Sequence, residues 1–302
     1  MTDTVDRHSN VDRPGRSRSR RVGEAVAAVA LLVPALAIFV AFFFWPLWRL
    51  VHYSLYQQNL QGTRERWVGP SQIVETLTGA DFRQGLWVNV LFLIMTVPIG
   101  VLLGLLLATS ANRRLRGIKI FQTIFSSTVA SSVAVSAVVF FTLVNDQAGY
   151  FKDVSWLALD KPISALFAVS LSSIWRNLGL TFVIVLAGLQ AIPEEIQEAS
   201  VLDGYSPIRR FLRITVPLLG PTLLFLAVVL TVDAFQAYAQ MELLTGGGPG
   251  GATETILFKI TKLAGPRDFG QGASMSLGLF VLTGLVAAAQ FSVLNRRVHY
   301  GN

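Results

Sequence analysis

Long stretches of this 302-residue chain carry no formal charge. Residues Ala25 to Trp48, Gln84 to Asn112, Ile120 to Asn145 and Phe269 to Asn295 contain no Asp, Glu, Lys or Arg. Each exceeds the roughly 20 apolar residues with which a helix crosses a hydrocarbon core about 30 Å thick. Two further segments, about Ser164 to Gln190 and about Pro217 to Gln240, reach that length with one interruption each, Arg176 and Asp233. An all-α polytopic membrane protein with six transmembrane helices is therefore expected. Composition agrees: 14% of residues are charged, against roughly 25% in a soluble domain, and the mean hydropathy is +0.54. Cysteine is absent, which excludes disulfides, thiolate metal sites, iron–sulfur clusters and cysteine nucleophiles together.

The first apolar run follows a basic segment, as in a signal peptide. Its hydrophobic stretch continues through AIFVAFFFWPLW and lacks a small-residue cleavage site, so it reads as a retained span. Three regions result: a basic tail (1–24), a six-span domain (25–295) and a short tail (296–302). Lys and Arg flanking the spans give their orientation. The first tail holds Arg7, Arg13, Arg16, Arg18, Arg20 and Arg21; the loop after span two holds Arg113, Arg114, Arg116 and Lys119. The loop after span four holds Arg209, Arg210 and Arg213, and the last tail Arg296 and Arg297, making fifteen bases on one side. The alternate loops carry eight: Arg64, Arg66, Arg83, Lys152, Lys161, Lys259, Lys262 and Arg267. Both termini are expected to be cytoplasmic. Most of the net charge of +7 is then a topology signal touching anionic lipid; nucleic-acid binding would need an attached fold that is missing.

The loop between spans four and five (191–216) breaks this pattern. Pro193 is placed to open a short helix, Glu194 and Glu195 suit its positive end, and Gly204 can close it in a left-handed conformation. About ten residues result, too few and too polar to span. Ile192, Ile196, Ala199 and Leu202 form an apolar stripe, with Glu194, Glu195 and Glu198 on other faces. A helix resting on lipid usually carries Lys and Arg. This acidic one is better accounted for by a protein partner. Pro207 can open a second short helix bearing Arg209, Arg210 and Arg213.

Glu198-Ala199-Ser200-Val201-Leu202-Asp203-Gly204, followed by Pro217 and Pro221, resembles the EAA signature of binding-protein-dependent ABC importer permeases. Ser200 and Tyr205 depart from it, standing where alanine is common. The resemblance implies the type I importer permease fold, with this loop as a coupling helix docked on an ATPase. Glu194, Glu195, Glu198, Ala199, Ser200, Asp203, Gly204 and Pro217 would then serve coupling. Trp67-Val68-Gly69 is similar to a segment that sugar-importer permeases carry after span one. Leu244-Thr245-Gly246-Gly247-Gly248-Pro249, with Thr253, is similar to their outer-loop motif, which implies contact with a substrate-binding protein. Read without the resemblance, five glycines and a proline from Gly246 to Gly251 cannot continue a helix and could form merely a flexible turn.

No GxxxxGK[ST] phosphate loop, HExxH pair or GxSxG elbow occurs, and His8, His52 and His299 are scattered. The chain is therefore expected to be no enzyme and to bind no metal or cofactor, with ATP and Mg held by the partner ATPase. An ion-coupled secondary transporter would commonly bury several ionisable groups in its spans; here only Arg176 and Asp233 lie there. Opposite signs on neighbouring spans allow a salt bridge. Alternatively Arg176, placed near the outer end of span four, faces the translocation path and attracts an anion. Asn177, Asp233, Gln236 and Tyr238 are further candidates for lining that path.

Trp175-Arg176-Asn177-Leu178-Gly179, Ser206-Pro207-Ile208-Arg209-Arg210-Phe211 and the ending Arg296-Arg297-Val298-His299-Tyr300 look most like the A-type permeases of sn-glycerol-3-phosphate and glycerophosphodiester importers. Arg176 replaces a lysine there and adds a fork suited to phosphate. The resemblance implies a bacterial inner-membrane heterodimer with a second homologous permease, two ATPase subunits and an extracytoplasmic binding protein. A neutral sugar or oligosaccharide permease, an ion-coupled transporter and a membrane enzyme are the alternatives.

Overall fold

The computed structural model describes residues 18–58, 65–112, 117–263, 265 and 268–295. Arg7, His8, Arg13, Arg16, Arg64, Arg113, Arg114, Arg116, Arg267 and the ending Arg296 to Tyr300 lie outside the described residues. Two compact units divide the chain, Met1–Leu50 and Val51–Asn302.

The first helical run comprises α1 (Arg18–Phe39), a π turn (Val40–Phe44) and α2 (Trp45–Leu55). Pro46 explains the π turn, because it has no N–H for the Phe42 carbonyl and its ring crowds that oxygen. Phe39 and Phe43 stack at a centroid separation of 5.0 Å, and Phe44 meets both edge-on at 5.4 and 5.5 Å. A three-residue hairpin follows, β1 (Tyr56–Gln58) antiparallel to β2 (Glu65–Trp67), with Tyr56 opposite Trp67. It is the one departure from helix among the described elements.

Next come α3 (Ser71–Thr78), α4 (Ala80–Ala111), α5 (Ile118–Ser126), α6 (Val133–Val144) and α7 (Pro162–Gln190). The remaining elements are α8 (Glu194–Leu202), α9 (Pro207–Arg210), α10 (Val216–Leu218), α11 (Gly220–Phe235), α12 (Ala239–Thr245), α13 (Ile256–Lys262) and α14 (Phe269–Asn295). At the centre, α4 packs along α7 and against α11. Their approach is close: a Cβ on Gly104 would collide with Thr181 Cγ2, as expected where small residues let membrane helices meet. Leu105, Ala108, Phe182, Val185, Leu189 and Leu226 fill this contact. A second cluster ties Phe82 of α4 to Met275 and Leu279 of α14.

Val29–Leu55, Ala80–Ala111, Pro162–Gln190 and Phe269–Ser292 are each long and apolar enough to cross a membrane. The third and fifth spans differ from expectation in being bent pairs. Ile118–Ala130 and Val133–Val144 meet at 104°, and Pro207–Leu218 and Gly220–Phe235 at 68°. Counting each pair once gives six. Serines cause the first break. Ser127 and Thr128 hydroxyls bond back to Ile124 and Phe125 carbonyls, and Ser132 caps α6 by accepting from Val135 N–H. The second bend follows another π turn (Phe211–Thr215). Pro217 lies two residues past that turn, as Pro46 does past the first. The fifth span also stops at Phe235, five residues before the expected Gln240.

Candidate functional site

Beyond the end of α7, Pro193 is extended (ψ 138°) and α8 begins at Glu194, one residue later than expected. Gly204 has φ +74°. Tyr205 N–H donates to the Ser200 carbonyl at 3.1 Å and Gly204 N–H to Val201 at 3.0 Å, the double bond of a Schellman cap. Ser200 is the buried residue of this helix, and its hydroxyl donates to the Gln197 carbonyl at 2.6 Å. The serine thus adds a polar atom where alanine is common and satisfies it locally. Glu194, Glu195, Glu198, Ala199, Ile196, Asp203 and Pro217 are exposed, and Leu202 is 88% exposed. So α8 presents both its carboxylates and most of its apolar stripe outward. Tyr205 lies under Arg209, whose guanidinium carbon is 5.5 Å from the ring centroid.

A second group sits within the bundle. Arg176 Nη2 donates to both Asp233 oxygens at 2.6–2.7 Å, and Asn177 Nδ2 donates to Asp233 Oδ2 at 2.9 Å. The side chains are 17% and 35% exposed. The ion pair foreseen as one alternative is therefore formed. Arg176 Nε is buried without a hydrogen-bond partner. Arg176 stands fourteen residues from either end of α7, at the middle of the helix rather than near its outer end, as the expected bounds of about Ser164 to Gln190 would already have placed it. Gln236 and Tyr238 do not lie in the spanning helix. Gln236 is exposed at the C-cap of α11 and Tyr238 precedes α12, its ring 5.9 Å from Phe258.

The glycine run forms a hydrogen-bonded turn. Gly246, Gly247, Gly250 and Gly251 all have positive φ. Thr245 and Thr253 hydroxyls meet at 2.6 Å, Thr253 Oγ1 also donates to the Gly248 carbonyl at 3.2 Å, and the Gly248–Pro249 peptide is cis. Thr253 is fully buried. Behind it is a clamp invisible to the sequence reading. Asn89 of α4 accepts from Ile256 N–H at 2.9 Å and donates to the Ala234 carbonyl at 3.3 Å. Lys259, 8% exposed, bonds Asp81 at 3.0 Å and Glu254 at 3.1 Å, and Glu254 also pairs with Lys262. Burial by itself would raise the Glu254 pKa, but the hydrogen bonds and charges of Lys262 and Lys259 outweigh it and hold the carboxyl below its ordinary 4.5. The start of α4 thus holds the glycine loop, while its far end lines a cleft together with Gln197 of α8 and Pro207, Ile208 and Arg210 of α9.

Residues 100–300 match the sequence profile of the binding-protein-dependent transport system inner membrane component. The chain belongs to that family. It is 33% identical over 279 residues to the sn-glycerol-3-phosphate transport system permease protein UgpA of Agrobacterium fabrum, covering 90% of this chain and 95% of that one. UgpA of Rhizobium meliloti is 32% identical with the same coverage, and UgpA of Yersinia pestis is 32% identical over 89% and 94%. Two solved structures share the fold at 18–19% identity. One is a bacterial ABC transporter involved in import of the acidic polysaccharide alginate (TM-score 0.72, covering 92% of this chain and 98% of that one). The other is a bacterial alginate ABC transporter in complex with an alginate pentasaccharide-bound periplasmic protein (TM-score 0.79, 95% and 100%). The fold is that of a type I importer permease, and the chain is a multi-pass inner-membrane component.

Proposed function

We propose that this chain is one permease subunit of an ATP-driven importer for sn-glycerol-3-phosphate and glycerophosphodiesters. It pairs with a second homologous permease, stands on two ATPase subunits that hold ATP and Mg, and receives solute from an extracytoplasmic binding protein. The observation that carries this reading is its kinship to sn-glycerol-3-phosphate permeases over nine-tenths of its length. Fifteen bases on one set of loops favour cytoplasmic termini, which puts α8 on the ATPase side and the glycine loop on the binding-protein side.

The geometry suggests how a push becomes a change in the path. α7, bearing Arg176, connects to α8 through the three residues 191–193; α9 to α11 leave it and end at Phe235, just past Asp233. ATPase closure acting on α8 pulls on both helices that hold the ion pair. The Schellman cap at Gly204 keeps the turn between them stiff. A paired Arg176 is electrically neutralised and its Nε is buried, so it attracts an anion only as the pair separates. Separation would put a phosphate oxygen against the guanidinium at mid-span, where an isolated charge is costly and turns toward a cavity or partner. Glu194, Glu195, Glu198, Ala199, Ser200, Asp203, Gly204 and Pro217 serve coupling in this scheme. Arg176, Asn177 and Asp233 serve the solute, and Thr245 to Pro249 with Thr253 the binding protein.

The test is uptake by proteoliposomes containing the assembled importer. ATP-dependent accumulation of radiolabelled sn-glycerol-3-phosphate, not displaced by excess maltose, is the expected result. Displacement by the neutral sugar would move the chain to the sugar permeases. Uptake by this chain alone under a proton or sodium gradient would make it a secondary transporter.

A further inference from the structure

Between the far end of α4 and the segment running from α9 into the second π turn lies a cleft of about 500 Å³. We infer that this cleft binds one anionic phospholipid, its phosphate on Arg210 and an acyl chain along Leu106 and Leu212. The cleft has walls of both kinds: Arg210, Asn112, Ser110, Thr109, Gln197 and Thr215 are polar, and Leu106, Phe211 and Leu212 are apolar. Leu106 lies six residues before Asn112, so about 9 Å deeper along a helix rising 1.5 Å per residue. That is the distance over which a bilayer passes from headgroup to hydrocarbon.

Charge selects the lipid. Arg210 is half-buried, and among the described residues no carboxylate pairs with it. Arg209 lies over Tyr205 and Arg213 is exposed, so the neighbourhood is wholly basic on this element. A partly buried guanidinium without a counter-ion fits a phosphate with two N–H bonds, and basic pockets between membrane helices recognise anionic headgroups. Position adds to this. The run from Pro207 to Leu218 meets α11 at 68°, so it lies across the spans rather than along them. Its Ile208 (74% exposed) and Leu212 are exposed at the cleft, and Leu218 is exposed beyond it. A short basic element with exposed aliphatics, set across the spans, is what lies in a membrane interface. The basic run contrasts with acidic α8, five residues earlier in the chain, whose Gln197 borders the same cleft.

Native mass spectrometry of the full-length chain, delipidated in detergent and titrated with phosphatidylglycerol or phosphatidylcholine of matched chains, reads the site. One phosphatidylglycerol is expected to stay bound at energies that strip phosphatidylcholine. R210Q is expected to reduce that preference about tenfold, while 10 mM inorganic phosphate, on the order of a saturating dose for a weak anion site, leaves it unchanged. If R210Q fails to express, S110W fills the same cleft without touching the arginine and is expected to abolish retention. Equal retention of both lipids, retention unaffected by either variant, or displacement by free phosphate would overturn the inference. So would lipid binding lost when the ATPase is added, since the cleft would then be part of the protein interface.

Discussion

Gly204 offers a clean perturbation of coupling, because a Cβ there would meet nothing within 4 Å while the backbone sits at φ +74°. Any substitution therefore costs backbone strain rather than collision. A non-glycine residue in the left-handed region costs about 1–2 kcal/mol, with asparagine tolerated best and β-branched residues worst. Placing Asn at a few tenths, Ala near 1 and Val near 2 kcal/mol gives coupled populations reduced by less than about twofold, about fivefold and about thirtyfold, at 1.4 kcal/mol per decade. The helix it closes has nine residues, too few to hold its shape alone in water, so the cap loss falls on docking. The assay is solute transported per ATP hydrolysed in proteoliposomes, with ATPase co-purification measured alongside. The ranking Gly, Asn, Ala, Val in coupling, at unchanged thermal stability of the membrane bundle, is expected. Wild-type coupling in G204V would refute the reasoning, and so would G204N failing as badly as G204V, because space rather than backbone conformation would then be at stake.

The Arg176–Asp233 pair separates a structural from a solute role. Its exposure lies between that of surface pairs, worth about 0–1 kcal/mol, and that of buried pairs, where removing one partner costs about 3–5 kcal/mol. R176A and D233A are each expected to lower the melting temperature, and the double variant to regain much of it while still failing to import sn-glycerol-3-phosphate. Import restored along with stability would make the pair purely structural. At the glycine loop, the Glu254 pKa is depressed on folding, so its stabilising contribution is complete above the ordinary 4.5 and is lost as pH falls through the lowered value. Proteolysis within 246–255 is expected to quicken below pH 4.5 in the wild type, and E254Q to be cut faster at neutral pH with little further acid dependence. An unchanged acid response in E254Q would remove this carboxyl from the clamp.

Local signals were legible in the sequence, and long-range ones were not. Pro193 and Gly204 mark a helix because their backbone preferences act within one or two residues. The last span, Phe269 to Asn295, begins and ends where charge resumes. The break at Ser131–Ser132 was not visible to a count of apolar residues, since serine leaves hydropathy high while its hydroxyl takes over backbone carbonyls. The early stop of α11 at Phe235 was hidden in the same way, the residues beyond it remaining mostly uncharged. Arg176 and Asp233 could be suspected of pairing because both stand alone in apolar surroundings. Lys259 and Asp81 could not, being 178 residues apart on segments that look like ordinary polar loops. The glycine run announces a turn, whereas its anchorage comes from Asn89, whose partners Ile256 and Ala234, 167 and 145 residues away, only the fold brings near.

The absence of native cysteine makes the central claim directly measurable. A single cysteine at Glu198, on the exposed face of α8, is combined with the ATPase subunit in membranes and treated with a short bifunctional thiol–amine cross-linker, with and without ATP. A cross-linked product with the ATPase whose yield changes with ATP, absent when the cysteine stands instead at exposed Trp87, is the predicted result. A cysteine at position 198 that forms no ATPase product, and stays equally open to a soluble maleimide whether or not the ATPase is present, would contradict it.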